Sequence, residues 1–248
     1  MLTHECEAVV LAALDYGETD RIVTLFTREH GKVRAIARHG KKSVKRFSGA
    51  LEVFARLRLH LALKEGLSSL RGTDIITVFP HIRNDLLKIS YAGYACEVVD
   101  RFLPEALCNP RLFRLLVTYL EQLESSPSRA DDRRFFEVNL LNILGYRLSL
   151  EQCSRCGVDF GDVTGVVQYS SAGELLCADC GSGGRQLSSV SRSLLQKALA
   201  TGRFGVMRFP EASLREAGDV LDAAIASHLT RPLHSLQFLQ HVLGVQPQ

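Results

Sequence analysis

In five runs between residues 4 and 79 apolar side chains alternate with polar ones, and beyond Pro80 apolar side chains recur at every third or fourth position. A period of two puts alternate side chains on opposite sides of a strand, whereas a period near 3.6 lines one face of a helix. The chain is therefore predicted to be α+β, with its strands gathered at the amino end and its helices after them. Five alternating runs are legible, at 4–14, 21–27, 32–38, 51–61 and 67–79. The fourth is the most regular: Leu51, Val53, Ala55, Leu57, Leu59 and Leu61 alternate with Glu52, Phe54, Arg56, Arg58 and His60. Five short strands left as an open sheet would expose unpaired edges, so closure into a small barrel is expected, and the five-stranded oligonucleotide-binding (OB) barrel is the commonest solution of that size.

The helical pattern opens with Ile82, Leu86, Ile89, Gly93 and Cys96 and is read as one helix running to Pro104. Asn109 followed by Pro110 forms an N-cap and first-turn pair for a second helix. Asp131 is expected to cap a third, which Gly145 ends in the left-handed conformation glycine favours. Helices resume at 191–201, 213–228 and 231–242. The resulting division is an OB domain at 1–80, a helical domain at 81–150 and 185–248, and between its two parts a cysteine-rich segment at 151–184.

Charge is distributed unevenly. Residues 28–47 carry a net charge of +7 in a chain whose total is +3, so the remainder is net negative. Lys32, Arg34, Ile36 and Arg38 share one side of the third strand, and Lys41, Lys42, Lys45 and Arg46 follow in a loop. Localised positive charge is what a polyanion requires, although a solvated strand and loop would carry the same residues. The second and third strands are also the usual nucleic-acid face of an OB barrel. Arg56 and Arg58 are expected to extend the patch. Phe26 and Phe54 share the phase of basic or polar neighbours and are candidates for base stacking; the alternative is that they pack at a barrel end.

Cys153-x-x-Cys156 and Cys177-x-x-Cys180 are separated by twenty residues. Two residues between thiols let a tight turn aim both sulfurs at one tetrahedral ion, and the gap matches a zinc ribbon. Four thiolates leave no open position for water, so the expected cofactor is one structural Zn²⁺. Little apolar sequence between the pairs is available to fold the segment without it. A redox role is the rival reading. Cys6, Cys96 and Cys108 lie in apolar patterns and are expected to be core thiols.

Enzyme signatures fail on inspection. A phosphate loop around Gly40-Lys41-Lys42-Ser43 would need glycine where Ala35 stands and a hydroxyl residue where Lys42 stands. A zinc deaminase would need a His-x-Glu motif and a proline before one cysteine pair, and neither is present. The amino end lacks the pattern of a secretory signal, and no apolar run approaches a membrane span, so a cytoplasmic protein without membrane contact is expected.

Three blocks taken together resemble the bacterial RecO family of DNA repair and recombination proteins: GETDRIVTLFTREHGKVRAIARHGKK, FFEVNLLNILGY leading into CSRCG, and RPLHSLQFL. The resemblance spans nearly the whole chain in order. It implies an OB domain, a helical body and an inserted zinc segment. It also implies a non-catalytic recombination mediator that binds single- and double-stranded DNA, anneals complementary strands, and works with RecR and RecF to replace single-strand-binding protein by the recombinase, in the cytoplasm at the nucleoid. The family commonly has a second glycine where this chain has His39. The other reading left open is a zinc-stabilised adaptor that docks repair partners, with DNA binding secondary; a zinc-dependent nucleic-acid-modifying enzyme is disfavoured by the closed sulfur set.

Overall fold

A computed structural model of the chain describes residues 3–41, 47, 50–161 and 166–244. Its first 77 residues supply five strands: β1 (His4–Tyr16), β2 (Asp20–Thr27), β3 (Gly31–Ala37), β4 (Arg56–Ala62) and β5 (Leu67–Thr77). They close in the order β1-β2-β3-β5-β4, with all pairs antiparallel except β3 with β5. This is the expected OB-like barrel. Val23, Leu25, Val33, Ala35, Ala37, Leu57, Leu59 and Leu61 point inward to form its core. A closed barrel leaves no edge to template aggregation.

The fourth strand begins five residues later than its alternation implies. Residues 51–55 form a turn in which Leu51 and Ala55 still reach the core. Phe54 sits there at φ 76°, and its N–H donates to the Val10 carbonyl at 2.9 Å. Alternation reports burial, and a turn pinned to β1 can bury alternate residues as well as a strand can.

Seven helices follow among the described residues: α1 (Pro80–Arg83), α2 (Leu86–Phe102), α3 (Pro110–Ser125), α4 (Ala130–Leu144), α5 (Ser189–Thr201), α6 (Glu211–Ser227) and α7 (His234–Val242). The first predicted helix is thus two. Asp85 Oδ1 accepts the N–H groups of Leu87 at 2.9 Å and Lys88 at 3.1 Å, which starts α2 afresh. Asn109 caps α3 as expected, accepting from Leu112 N at 3.0 Å. Gly145 ends α4 at φ 87°. Asp131 is not the cap of α4, because Arg129 holds that position. Asp131 instead accepts the Phe209 N–H, and Asp132 the Gly205 N–H, each at 2.7 Å, so the pair anchors the loop after α5.

The chain divides into two compact units, one comprising Met1–Pro127 with Leu233–Gln248 and the other Ser128–Pro232. In the first, α2 packs on β1 and on α7. Glu97 of α2 accepts the N–H groups of His234 and Ser235 and the Ser235 hydroxyl, which ties the start of α7 to α2. Burial works to raise the Glu97 pKa, and these donors with Arg101 outweigh it, holding the carboxyl below its ordinary value.

In the second unit α4, α5 and α6 pack together around a buried charge network. Glu137, fully buried, accepts from Arg133 Nε and Arg134 Nη1, both at 2.7 Å, and Arg133 reaches across to Asp222 of α6 at 2.8 Å. Two cations and two anions sum to zero, which is the condition for taking such groups out of water. Among the described residues no helix is long and apolar enough to cross a membrane.

Candidate nucleic-acid interface and metal centre

On β3 the inward residues Val33, Ala35 and Ala37 are buried, and the opposite phase carries Lys32, Arg34 and Ile36 outward. The two ends of that outward row differ. At the start of β3, Lys32 Nζ lies 3.2 Å from Asp100 Oδ1 and donates to the Asp100 carbonyl at 2.6 Å, so helix α2 neutralises it. Phe26, its cross-strand neighbour, also points outward as its phase implies, yet it is fully buried. Phe113 of α3 lies edge-on against it, with ring centroids 5.4 Å apart.

Neither phenylalanine proposed for stacking is therefore available. Phe26 is covered by a helix, and Phe54 is buried in the turn before β4.

Towards the other end of β3, Arg34 and Arg38 are exposed. Lys41 is exposed too, bonded to the Gly17 carbonyl at 3.0 Å and lying 3.4 Å from Asp15. His39 stands between them at φ 57°, a left-handed conformation that explains why glycine suits this position. Lys42, Lys45 and Arg46 lie outside the described residues.

Arg56 and Arg58 do not extend this patch. They sit on β4, which β5 separates from β3 in the barrel order. Arg56 is further occupied by Glu7 at 2.5 Å and Glu121 at 2.8 Å, and Arg58 lies 3.4 Å from Glu5.

Three groups were missed in the sequence. Lys64, between β4 and β5, lines with Lys32 and Arg34 an open groove of about 640 Å³ that also holds Glu29, Glu65 and Glu105. Arg71 is exposed on β5. Their nearness to β3 comes from a parallel pairing of distant strands, Arg34 opposite Leu67 and Ile36 opposite Ser69, which no local pattern announces. Tyr16 lies beyond the alternating run that ends at residue 14, but β1 continues through it and leaves it exposed.

The four cysteines converge. Their sulfurs all lie within 4.8 Å of one another, with Cys156 and Cys177 at 3.6 Å. A tetrahedral ion with bonds of ~2.3 Å to sulfur requires edges of about 3.8 Å, so the set can hold one metal ion. Both pairs read Cys-x-x-Cys-Gly, and in each the glycine N–H donates to the carbonyl of the first cysteine, Gly157 to Cys153 at 3.0 Å and Gly181 to Cys177 at 2.9 Å. Gly157 adopts φ 75°, which glycine favours, and a Cβ on Gly181 would lie 2.1 Å from Gln168 Oε1 and force that side chain to move.

The thiols are electrostatically unequal. Burial opposes ionisation of Cys153, but the N–H groups of Cys156, Cys177 and Arg155 bring it down to about 6. Hydrogen bonding with the sulfurs of Cys156 and Cys177 pushes Cys180 up to about 12. Crowded sulfurs resist a second negative charge, and a cation would remove that resistance.

The segment around them carries more apolar support than its composition implied. Phe160, Val167, Tyr169, Leu175 and Leu176 are buried, and a small sheet of β6 (Val167–Tyr169), β7 (Leu175–Leu176) and β8 (Arg185–Leu187) backs the second pair. Of the three remaining cysteines, Cys6 and Cys96 are buried as expected, and burial raises both thiols. Cys108 is exposed, its Sγ 3.1 Å from the Arg28 carbonyl, because it falls in the connection before α3 and not in a packed element.

Comparison with known proteins decides the family. Residues 1–79 match the family model for the Recombination protein O N terminal domain, and residues 83–237 match that for the C terminal domain. The chain belongs to the RecO family. It is 57% identical to the DNA repair protein RecO of Geobacter sulfurreducens over 96% of this chain and 97% of the relative. Against the protein of the same name from Geobacter metallireducens the identity is 55%, covering 95% and 96%, and against that from Pelobacter propionicus it is 48%, covering 98% of each. This RecO-family chain is accordingly a DNA repair protein, and the OB-like barrel and the four-cysteine cluster are the two features of it that bear on ligands.

Proposed function

We propose that the chain is a non-catalytic recombination mediator that binds DNA electrostatically on the outward side of β3. The observation that carries this reading is that Arg34 on β3 of a closed barrel and Arg38 in the turn after it are exposed, directly before a stretch of sequence rich in lysine and arginine. Arg34, Arg38, Lys41, Lys42, Lys45 and Arg46 contact phosphates and release counterions, which gives affinity with weak sequence preference. Single and double strands both present phosphates and both bind. Annealing follows without a chemical step, because two polyanions brought to one cationic surface no longer repel each other fully. Loading of the recombinase onto DNA coated by single-strand-binding protein, with RecR and RecF as partners, is the cellular role this activity serves, in the cytoplasm at the nucleoid.

The metal is Zn²⁺, one ion, and its role is to hold the ribbon. An all-sulfur tetrahedral set with no vacant position supports a structural ion over a catalytic one. The second unit of the structure, Ser128–Pro232, would then carry the zinc segment as a stabilised insert in the helical body.

The test is a titration of labelled oligonucleotide at several salt concentrations with a Lys41/Lys42/Lys45/Arg46→Ala variant, alongside strand annealing on bare and protein-coated DNA. Weaker binding, a shallower salt dependence and lost annealing are expected. Unchanged affinity and slope would remove these four residues from the account. An adaptor that grips the acidic tail of single-strand-binding protein would instead lose tail-peptide binding in the same variant and keep DNA binding.

A further inference from the structure

The outward face of the barrel beside Arg34 carries a row of apolar side chains that are exposed or half-buried among the described residues. Cross-strand partners place Leu14 opposite Ile22 and Ile22 opposite Ile36, so one aliphatic row crosses β1, β2 and β3. The inward phase of the same strands, Ala13, Val23 and Ala35, packs on the core, which fixes the row to the outside. Leu14 is 66% exposed and Tyr16 55% exposed, whereas the outward Phe26 further along β2 is covered completely. Thr24 pairs with Arg34 and stands one step along β2 from this row, and Asp20 pairs with Tyr16 at its other side.

Two of the three carboxylates of the neighbouring hairpin are engaged internally, and the third, Glu18, is exposed in the turn beyond Tyr16. Asp15 binds Arg21 at 2.9 Å, and Asp20 accepts the His39 N–H at 2.8 Å and the Thr19 hydroxyl at 3.0 Å. Hydrogen bonding from Arg21 holds the Asp15 carboxyl below its ordinary range, and that from the His39 backbone does the same for Asp20. An exposed apolar row with Arg34 and Arg38 beside it, and with Asp15 and Asp20 already bonded, suits a ligand that presents flat apolar surfaces on a negative backbone.

We infer that Tyr16, with Leu14, Ile22 and Ile36, forms a platform on which unpaired nucleobases stack while Arg34 and Arg38 hold the adjoining phosphates. This rests on the reading of the β3 face as the DNA-binding surface and adds to it a site for bases, which duplex DNA cannot fill because its bases are already stacked. The platform therefore favours single strands, the substrates of annealing, over duplexes bound through phosphate alone.

The chain contains no tryptophan, so Tyr16→Trp gives the full-length protein a single indole reporter that preserves a stacking ring. Oligothymidylate is expected to quench its emission, and an abasic strand of equal length and charge is expected to bind without quenching. Tyr16→Ala should weaken oligothymidylate binding about 5- to 100-fold, leave duplex binding unchanged and leave the salt slope unchanged, since stacking releases no counterions. Equal quenching by the abasic strand, or full affinity in Tyr16→Ala, overturns the platform. If that occurs while Arg34→Ala still weakens binding, only the platform fails; if neither substitution weakens binding, the β3 face itself is wrong. Emission that responds to a protein partner and to no oligonucleotide would also overturn the inference, and would assign the apolar row to a protein contact.

Discussion

The cations expected to meet DNA fall into two groups that salt dependence separates. Lys32 is held by Asp100, and Arg56 by Glu7 and Glu121, so neither has a charge to spend on phosphate without breaking an ion pair. Arg34 is exposed on β3, and Arg38 is exposed in the turn after it, where, after the His39 N–H, its charge helps to hold the Asp20 carboxyl below its ordinary value. If about five phosphates are neutralised on a single strand, the slope of log K against log salt is roughly −3.5, so affinity falls about 130-fold between 50 and 200 mM salt. Replacing Arg34 and Arg38 by alanine removes two contacts, brings the slope to roughly −2.1, and reduces that fall to about 18-fold. Replacing Lys32 by alanine should leave the slope within error of the parent. Fluorescence anisotropy with a labelled oligothymidylate at four or more salt concentrations measures all three proteins. Equal slopes for the Arg34/Arg38 variant and the parent, or a slope lowered by ~0.7 in Lys32→Ala, would refute the assignment of charge made from the ion pairs.

Three further outcomes are expected. Glu137→Ala removes the fully buried counter-ion that Arg133 and Arg134 share, and should cost about 3–5 kcal/mol in urea unfolding followed by circular dichroism; Asp222→Asn, at a partly exposed residue that leaves Glu137 in place, should cost clearly less. Cys177→Ser should abolish stoichiometric zinc in the purified protein, and a chelator should lower the unfolding temperature of the parent but not of the variant, as metal analysis and calorimetry will report. Glu97 has a folded pKa below its unfolded value of ~4.3, so its contribution is complete above that value and is lost as pH falls through the depressed one. Stability should thus decline on acidification below about pH 4.5, and Glu97→Gln should flatten that decline in acid-unfolding curves.

The barrel was legible because each strand buries one phase of its side chains in a single core, so alternation and topology carry the same information. Two local misreadings share a cause. The turn at residues 51–55 and the break at Asn84 and Asp85 both keep the apolar pattern of the neighbouring element while changing the backbone, and pattern records only burial. Asp131 and Asp132 occupy a helix start, where acids commonly cap, yet their bonds go to a loop more than seventy residues away. At the candidate interface the phase of Phe26 was read correctly and its exposure was not, since the α3 side chain that covers it is distant in sequence. The same holds for Lys32 and Arg56, whose neutralising partners lie on elements far along the chain. The cysteine cluster was the most legible site, because two tight turns of fixed spacing leave four sulfurs few arrangements other than convergence.

Amide hydrogen exchange of the full-length protein with and without a saturating single-stranded oligonucleotide tests the central claim most directly. Slowed exchange in residues 14–24, 33–41 and 64–71, with no change in residues 153–180, is the result predicted. Protection confined to the cysteine-rich segment or to α4–α6, with the β3 face unaltered, would contradict it.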